Sequence, residues 1–323
     1  MSEVANNRLH LIELNGDRVA GTTTAARKLQ EAYPDIVVDD VSEDIPALAL
    51  YLLEQKPTLV DMPQRHLESH IASLGAGFLR SVINGKANIL EKNGIVAFEE
   101  SDEAQEVADR LWECSDVGVA RQLSFRQRTE HMRNQGVGLM ACLHADIARF
   151  GAPVHGASVL QRMHFTCDPV EASWRLVENN GLSITDAAGV RMFKEIAVQL
   201  RRAALDKSNT RHSRPSLPSE HVPLWRQPWP VAETVALMER EGADIDALGL
   251  RSRAYPQEVS EVDIDLNYSA TEVALKALLH SCPIAIDTAA FRTSGPEREA
   301  QTAAMGQVVV NLFAAVNQSR LVE

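Results

Sequence analysis

The sequence is poor in the features that mark stapled, membrane-spanning or nucleic-acid-binding chains. Its 323 residues include four cysteines, Cys114, Cys142, Cys167 and Cys282, and no two stand at CxxC or zinc-ligand spacing. That excludes a disulfide framework and a zinc finger, and it reads as reduced thiols in a cytoplasmic protein. No apolar run reaches the roughly 18 residues of a candidate membrane helix. MSEVANNRLH carries no apolar leader core. Basic charge is also in short supply. The formal net charge is −12, whereas phosphate backbones and anionic membranes select basic surfaces. No nucleic-acid or membrane partner is expected. Internal repeats and low-complexity tracts are absent.

What is there is an ordinary globular mixture, 45% apolar and 24% charged, long enough for two domains. The first half alternates strand and helix patterns. LHLIEL (9–14), DIVVDDV (35–41), TLVDMP (58–63), ANILEK (87–92) and VGVARQLSF (117–125) read as strands. TTTAARKLQEAY (22–33), SEDIPALALYLLEQ (42–55) and ESDEAQEVADRLWEC (100–114) read as helices. Such alternation predicts βαβ units on a parallel sheet, a Rossmann-type domain over 1–125. The remainder, 126–323, reads as an α+β domain. It is helical over 126–205 except for a strand at SVLQRMHFT. A Ser/Pro/Arg-rich loop covers 206–230, and 234–255 reads as two strands around Gly242. Helices at 270–281 and 297–319 close the chain. The paired strands predict an open, mainly antiparallel sheet.

The first turn has the residues of a phosphate site. Gly16-Asp-Arg-Val-Ala-Gly21 falls between a strand and a helix, as GxGxxG with Arg18 at its middle glycine. Such a turn aims backbone N–H groups and a helix N-terminus at a pyrophosphate. Asp40 stands where an acidic residue would hold ribose hydroxyls, so NAD is expected over NADP. The same stretch fits a P-loop with Thr22 in place of the lysine and Asp61 as a Walker-B-like carboxylate. His66 and His70 stand at i,i+4, but no third ligand is evident and no metal is expected.

NGKANILEKNG (84–94) raises a separate question, because an apolar run there ends on Glu91 and Lys92. Either the pair is the solvated end of an edge strand, or the strand opens there into an active site.

Several segments together resemble the glucose–fructose oxidoreductase/inositol dehydrogenase/MocA group. They are VDMPQRHLESHI (60–71), NGKANILEKN (84–93), VARQLSF (119–125), SWRLVENNGLSITDAAGVRMF (173–193), AETVALMEREGADIDALGLRSR (232–253) and the C-terminal AMGQVVVNLFAAVNQSRLVE. The resemblance runs through most of the chain in order. It implies a nicotinamide-dependent dehydrogenase acting on a small sugar or cyclic polyol, as a homodimer or homotetramer built on strands within 234–268. Lys92 would move the proton, Asp186 would polarise the substrate hydroxyl, and Arg191 would stand in the place of the group's histidine. Gly16, Arg18, Gly21, Asp40, Pro63, His66, Glu91 and Lys92 would hold the cofactor. Gln122, Trp174 and Arg175 would line the substrate pocket. Asn93 replaces the group's proline, and arginine is no proton shuttle near neutral pH. A weakened or non-catalytic member, binding nucleotide or sugar as a sensor or subunit, is therefore the second reading.

Overall fold

Two β-branched residues followed by two aspartates, Val37–Asp40, make a strand whose last carboxylates are carried to its C-terminal end. In the computed structural model the described residues are 8–16, 19–93, 98, 101–145, 147, 154–167, 169–209, 224–225, 231–250, 284–287 and 298–320. In chain order the elements are β1 (Leu9–Gly16), α1 (Thr22–Ala32), β2 (Val37–Asp40), α2 (Asp44–Gln55), α3 (Gln64–Asn84), α4 (Lys86–Asn93), α5 (Asp102–Trp112) and α6 (Ser115–Asn134). There follow β3 (Leu139–Leu143), β4 (Ala157–Thr166), α7 (Pro169–Asn179), α8 (Ala187–Asn209), β5 (Leu224–Trp225), α9 (Val231–Arg240), β6 (Ile284–Asp287) and α10 (Arg298–Arg320). The chain forms two units, residues 1–13 with 35–160, and residues 14–34 with 161–323. The sequence reading placed one boundary near residue 125. Strands β1 and β4 each give residues to both units.

In the first unit the strand order is β2-β3-β1. β2 and β3 run parallel, with Val37 opposite Met140 and Asp40 opposite Leu143. One side of this unit packs Leu9, Leu11, Phe125, Met140 and Cys142 together. Helices α2, α3, α5 and α6 bury a second cluster that includes Leu48, Leu52, Ile71, Val107 and Leu111. Each such side chain, taken fully from water, contributes about 1.5–3 kcal/mol.

Three strands expected from the sequence are not strands. Residues 58–63 form a 3₁₀ turn (Pro57–Leu59) and a bend. Their carbonyls converge on one side chain: Arg110 Nη1 donates to Leu59 O at 3.2 Å and Val60 O at 3.0 Å, and its Nη2 donates to Met62 O. Residues 117–125 are helical. The buried positions Val117, Ala120, Arg121, Ser124 and Phe125 follow the i, i+3, i+4, i+7, i+8 spacing of one helix face. Residues 87–92 belong to α4, which starts directly after Gly85 ends α3.

In the second unit β4, β6 and β5 lie side by side and parallel, with Met163 opposite Ile284 and Leu224 opposite Ala285. Trp174, Val177, Phe193, Met238 and Ile245 pack a separate core. Helix α1 lies on α10, where the Tyr33 and Phe313 rings meet edge to face at 4.8 Å. Gly16 ends β1 against β4; a Cβ there would stand 2.6 Å from the Phe165 carbonyl oxygen. Residues 231–240, read in part as a strand, are helical, and 241–250 form turns. The antiparallel hairpin is therefore corrected over 234–250. The expected assembly through strands in 234–268 loses that part of its basis. Residues 251–268 and 270–281 lie outside the described residues. The fold is mixed α/β, and every strand pair of known register is parallel.

Candidate functional site

The turn after β1 opens helix α1 without a side-chain cap. Gly21 takes the cap position at φ 93°, a left-handed conformation that glycine adopts without a Cβ clash. Three threonines follow, and the first turn of α1 has no acidic residue. The cap residue therefore offers no side-chain oxygen and the first turn itself carries no carboxylate, a setting in which a helix N-terminus favours an anion. Val19, two residues earlier, also has positive φ, 56°. For a β-branched residue this is a strained conformation costing about 1–2 kcal/mol.

A cavity of about 580 Å³ lies beside this turn, within the second unit. The turn gives Val19 and Gly21 to its wall, α1 gives Thr24, Arg27 and Lys28, and α7 gives Arg175 and Asn179. Helix α10 closes it with Glu299, Thr302 and Met305. The cations differ in their freedom. Lys28 is paired with Glu31 at 2.5 Å on the surface of α1. Arg27 is exposed. Arg175 is 3% exposed, with Nε on Glu171 Oε1 at 2.9 Å and Nη1 on Val19 O at 3.2 Å. Three basic side chains beside an uncapped helix start suit a phosphate-bearing ligand.

A second charged constellation lies in the first unit at the C-terminal end of β2. Lys86, the first residue of α4, reaches Asp39 Oδ1 and Asp44 Oδ1, each at 3.0 Å, and also donates to the Asp40 carbonyl. From α6, Arg128 Nε reaches Asp39 Oδ2 at 2.9 Å and its Nη2 reaches Asp44 Oδ2 at 3.3 Å. Arg121 Nε stands 3.9 Å from Asp44, and its guanidinium lies 4.1 Å from the Trp112 ring centroid. Glu43 approaches Lys86 at 4.0 Å. Three cations thus meet three carboxylates, and the group is compensated without a ligand. Burial pushes the carboxyls of Asp44 and Glu43 above their ordinary range, against the pull of Lys86 on both and of Arg128 on Asp44.

The residues singled out in the sequence are dispersed among these features. Lys92 is exposed on α4, with its Nζ on Glu54 Oε1 at 2.6 Å, and Glu91 beside it is exposed. Lys92 therefore does not stand at a strand's end. Asp40 Oδ1 accepts from the N–H and the hydroxyl of Ser42, at 2.9 and 2.6 Å. Pro63 precedes α3 and is exposed, as is His66. His70 is half-buried, and desolvation lowers its pKa. Among the described residues no three potential metal ligands cluster. Asp61 lies exposed in the bend. Asp186 is exposed one residue before α8, and its carbonyl accepts the Val190 N–H at 2.9 Å, as a cap residue's does. Arg191 is exposed on α8, and Gln122 is exposed on α6 rather than at a strand end. Trp174 is buried in the core of the second unit, whereas its neighbour Arg175 faces the cavity. Gly16 and Gly21 keep their expected place around the turn. Arg18 lies outside the described residues.

Sequence reasoning passed over Lys86, the buried lysine of the very stretch in which it chose Lys92. The signal was its place directly after the helix-ending Gly85, with a buried helix face behind it. It also passed over Lys28 and Asn179. Lys28 is readable as the residue one turn past Thr24 on α1. Asn179 follows only from the packing of α7. No protein-family model matches the chain, and no curated protein matches it. No described helix is long and apolar enough to cross a membrane.

Proposed function

We propose that this protein binds a nucleotide in the cavity beside its first glycine turn and works as a nucleotide-dependent binding protein or subunit, not as a hydride-transfer enzyme. In this reading β1, the turn and α1 act as the opening of a Rossmann-like site. The observation that carries it is the wall of the cavity, where Arg27, Lys28 and Arg175 surround an uncapped helix start. A phosphate there would accept hydrogen bonds from backbone N–H groups and be met by the exposed Arg27, while Arg175 is already paired with Glu171. NAD is the first ligand to test, with NADP and the mononucleotides ADP and ATP beside it. The catalytic part of the dehydrogenase reading finds less support. Its proton-transfer lysine, Lys92, is an exposed helix residue already paired with Glu54.

Titration of the purified protein with NADH and NADPH by fluorescence, and with ADP and ATP by calorimetry, tests the reading. At least one should bind, more weakly as salt rises, because exposed charge pairs are screened. Arg27→Ala should weaken that binding by roughly tenfold, the worth of one charged hydrogen bond. Absence of binding by all four at millimolar concentration would overturn the proposal. Reduction of NAD in the presence of a polyol or aldose panel would return the dehydrogenase reading.

A further inference from the structure

We infer that Arg175 is the positioning residue of the glycine turn, fixing its backbone in the binding-ready form before any ligand arrives. The inference rests on the nucleotide reading for its purpose and on the ligand-free geometry for its evidence. Arg175 is buried, and its side chain reaches both Glu171 and Val19. Nε is held by Glu171, one turn earlier on α7 and itself 1% exposed, and Nη1 donates to the carbonyl of Val19. A guanidinium is planar and rigid, so fixing one edge on a carboxylate fixes where the other points. The peptide group is planar and trans, so the bond to Val19 O also sets the Ala20 N–H on the opposite side of that peptide, away from the guanidinium.

The residue so held is the one that least suits its conformation. Val19 has φ 56°, and a β-branched side chain keeps such an angle only where its surroundings impose it. Released, the turn would relax toward negative φ and draw Gly21 and the start of α1 out of register with the cavity. Both ends of the device line that cavity. A buried arginine with no fixed partner would serve a ligand directly, as a mobile cation. Anchored to Glu171 and committed to Val19, Arg175 acts on the ligand through the backbone.

Arg175→Lys tests this, because lysine keeps the charge and can keep the Glu171 pair while losing the second arm of the fork. Hydrogen exchange of peptides covering 14–24 is measured without ligand, and NADH binding by fluorescence. Arg175→Lys should speed exchange in the turn and weaken binding, each by roughly tenfold. Adding Val19→Gly to Arg175→Lys should restore binding to within about threefold of wild type, since glycine accepts positive φ without being held. Binding lost in Arg175→Lys and not restored by Val19→Gly would assign Arg175 a direct ligand contact and overturn the positioning role. Unchanged exchange in Arg175→Lys would overturn it as well. Should Arg175→Lys fail to fold, Val19→Gly alone decides. With the clamp intact its turn stays protected within about threefold of wild type, whereas loosening beyond roughly tenfold refutes the clamp. If wild type binds no nucleotide, the functional reading falls, and the exchange measurements still decide the role of Arg175.

Discussion

The ammonium of Lys86 stands 3.0 Å from a carboxylate oxygen of Asp44, a residue with no exposed surface. Around this pair the first unit gathers β2, α2, α4 and α6. Removing one partner of such a pair strands the other charges in the interior. Lys86→Met should lower stability by about 3–5 kcal/mol, the usual cost of an uncompensated buried ion. Lys92→Ala, six residues on, breaks a pair with Glu54 whose side chains are 65% and 47% exposed. It should change stability by less than about 0.5 kcal/mol. Urea unfolding of the two variants checks both values, and equal losses would refute the contrast.

Part of this arrangement was legible in the sequence and part was not. Helices α1, α2, α5 and α10 and strands β1, β2 and β4 were readable, because caps, apolar spacing and β-branched runs are local signals. Strands at 58–63 and 117–125 were misread for a common reason: a short apolar run does not say which period it follows. Arg110, nearly 50 residues away in sequence, converts the first into a bend. The buried faces of Arg121 and Ser124 turn the second into a helix, and polar residues do not announce burial. Gly16 and Gly21 marked the turn correctly, while the cavity needed α7 and α10, which no local pattern brings to α1.

Acid should act on Glu43 in the direction opposite to an ordinary ion-paired carboxylate. Burial raises its pKa above the usual 4.5, more than Lys86 lowers it. The folded protein therefore holds that proton more tightly than the unfolded chain. Between about 4.5 and the raised value, this group's contribution to stability falls as pH rises and returns as pH is lowered. Asp44 shifts in the same sense. Glu43→Gln should be neutral or stabilising at pH 7 and should flatten the pH dependence of unfolding between pH 4.5 and 7. A variant weaker at pH 7 with an unchanged slope would contradict this.

Gly189 and Gly181 should respond differently to alanine. A Cβ at Gly189 would stand 1.8 Å from the Ser183 carbonyl oxygen, so the backbone leading into α8 must move. Gly189→Ala should cost more than about 3 kcal/mol or yield insoluble protein, as severe overpacking does. At Gly181 the space is open and only φ, 70°, opposes a side chain. Gly181→Ala should cost about 1–2 kcal/mol. Thermal melts of both variants order them, and the reverse order would refute the assignment.

The thiols of Cys114 and Cys142 should be inert in the folded protein. Burial, followed by the nearby Glu68 carboxylate, pushes Cys114 to a pKa of about 11, and full burial drives Cys142 well above its ordinary value. At pH 8 only about one Cys114 in a thousand is a thiolate, the form that reacts. Iodoacetamide labelling followed by peptide mass spectrometry should find both unmodified, with half-buried Cys167 labelled ahead of these two. Rapid labelling of Cys142 without denaturant would show that the β3 core opens.

The chain passes from one unit to the other after residues 13, 34 and 160. A fragment ending at residue 125 would carry β2 but not β3, its parallel neighbour, and would hold the glycine turn without the α7 and α10 that wall its cavity. No single crossover between genes could therefore exchange one unit whole. A recombinant that kept β1 and the glycine turn but took a foreign second half would inherit Val19 without the Arg175 that holds it.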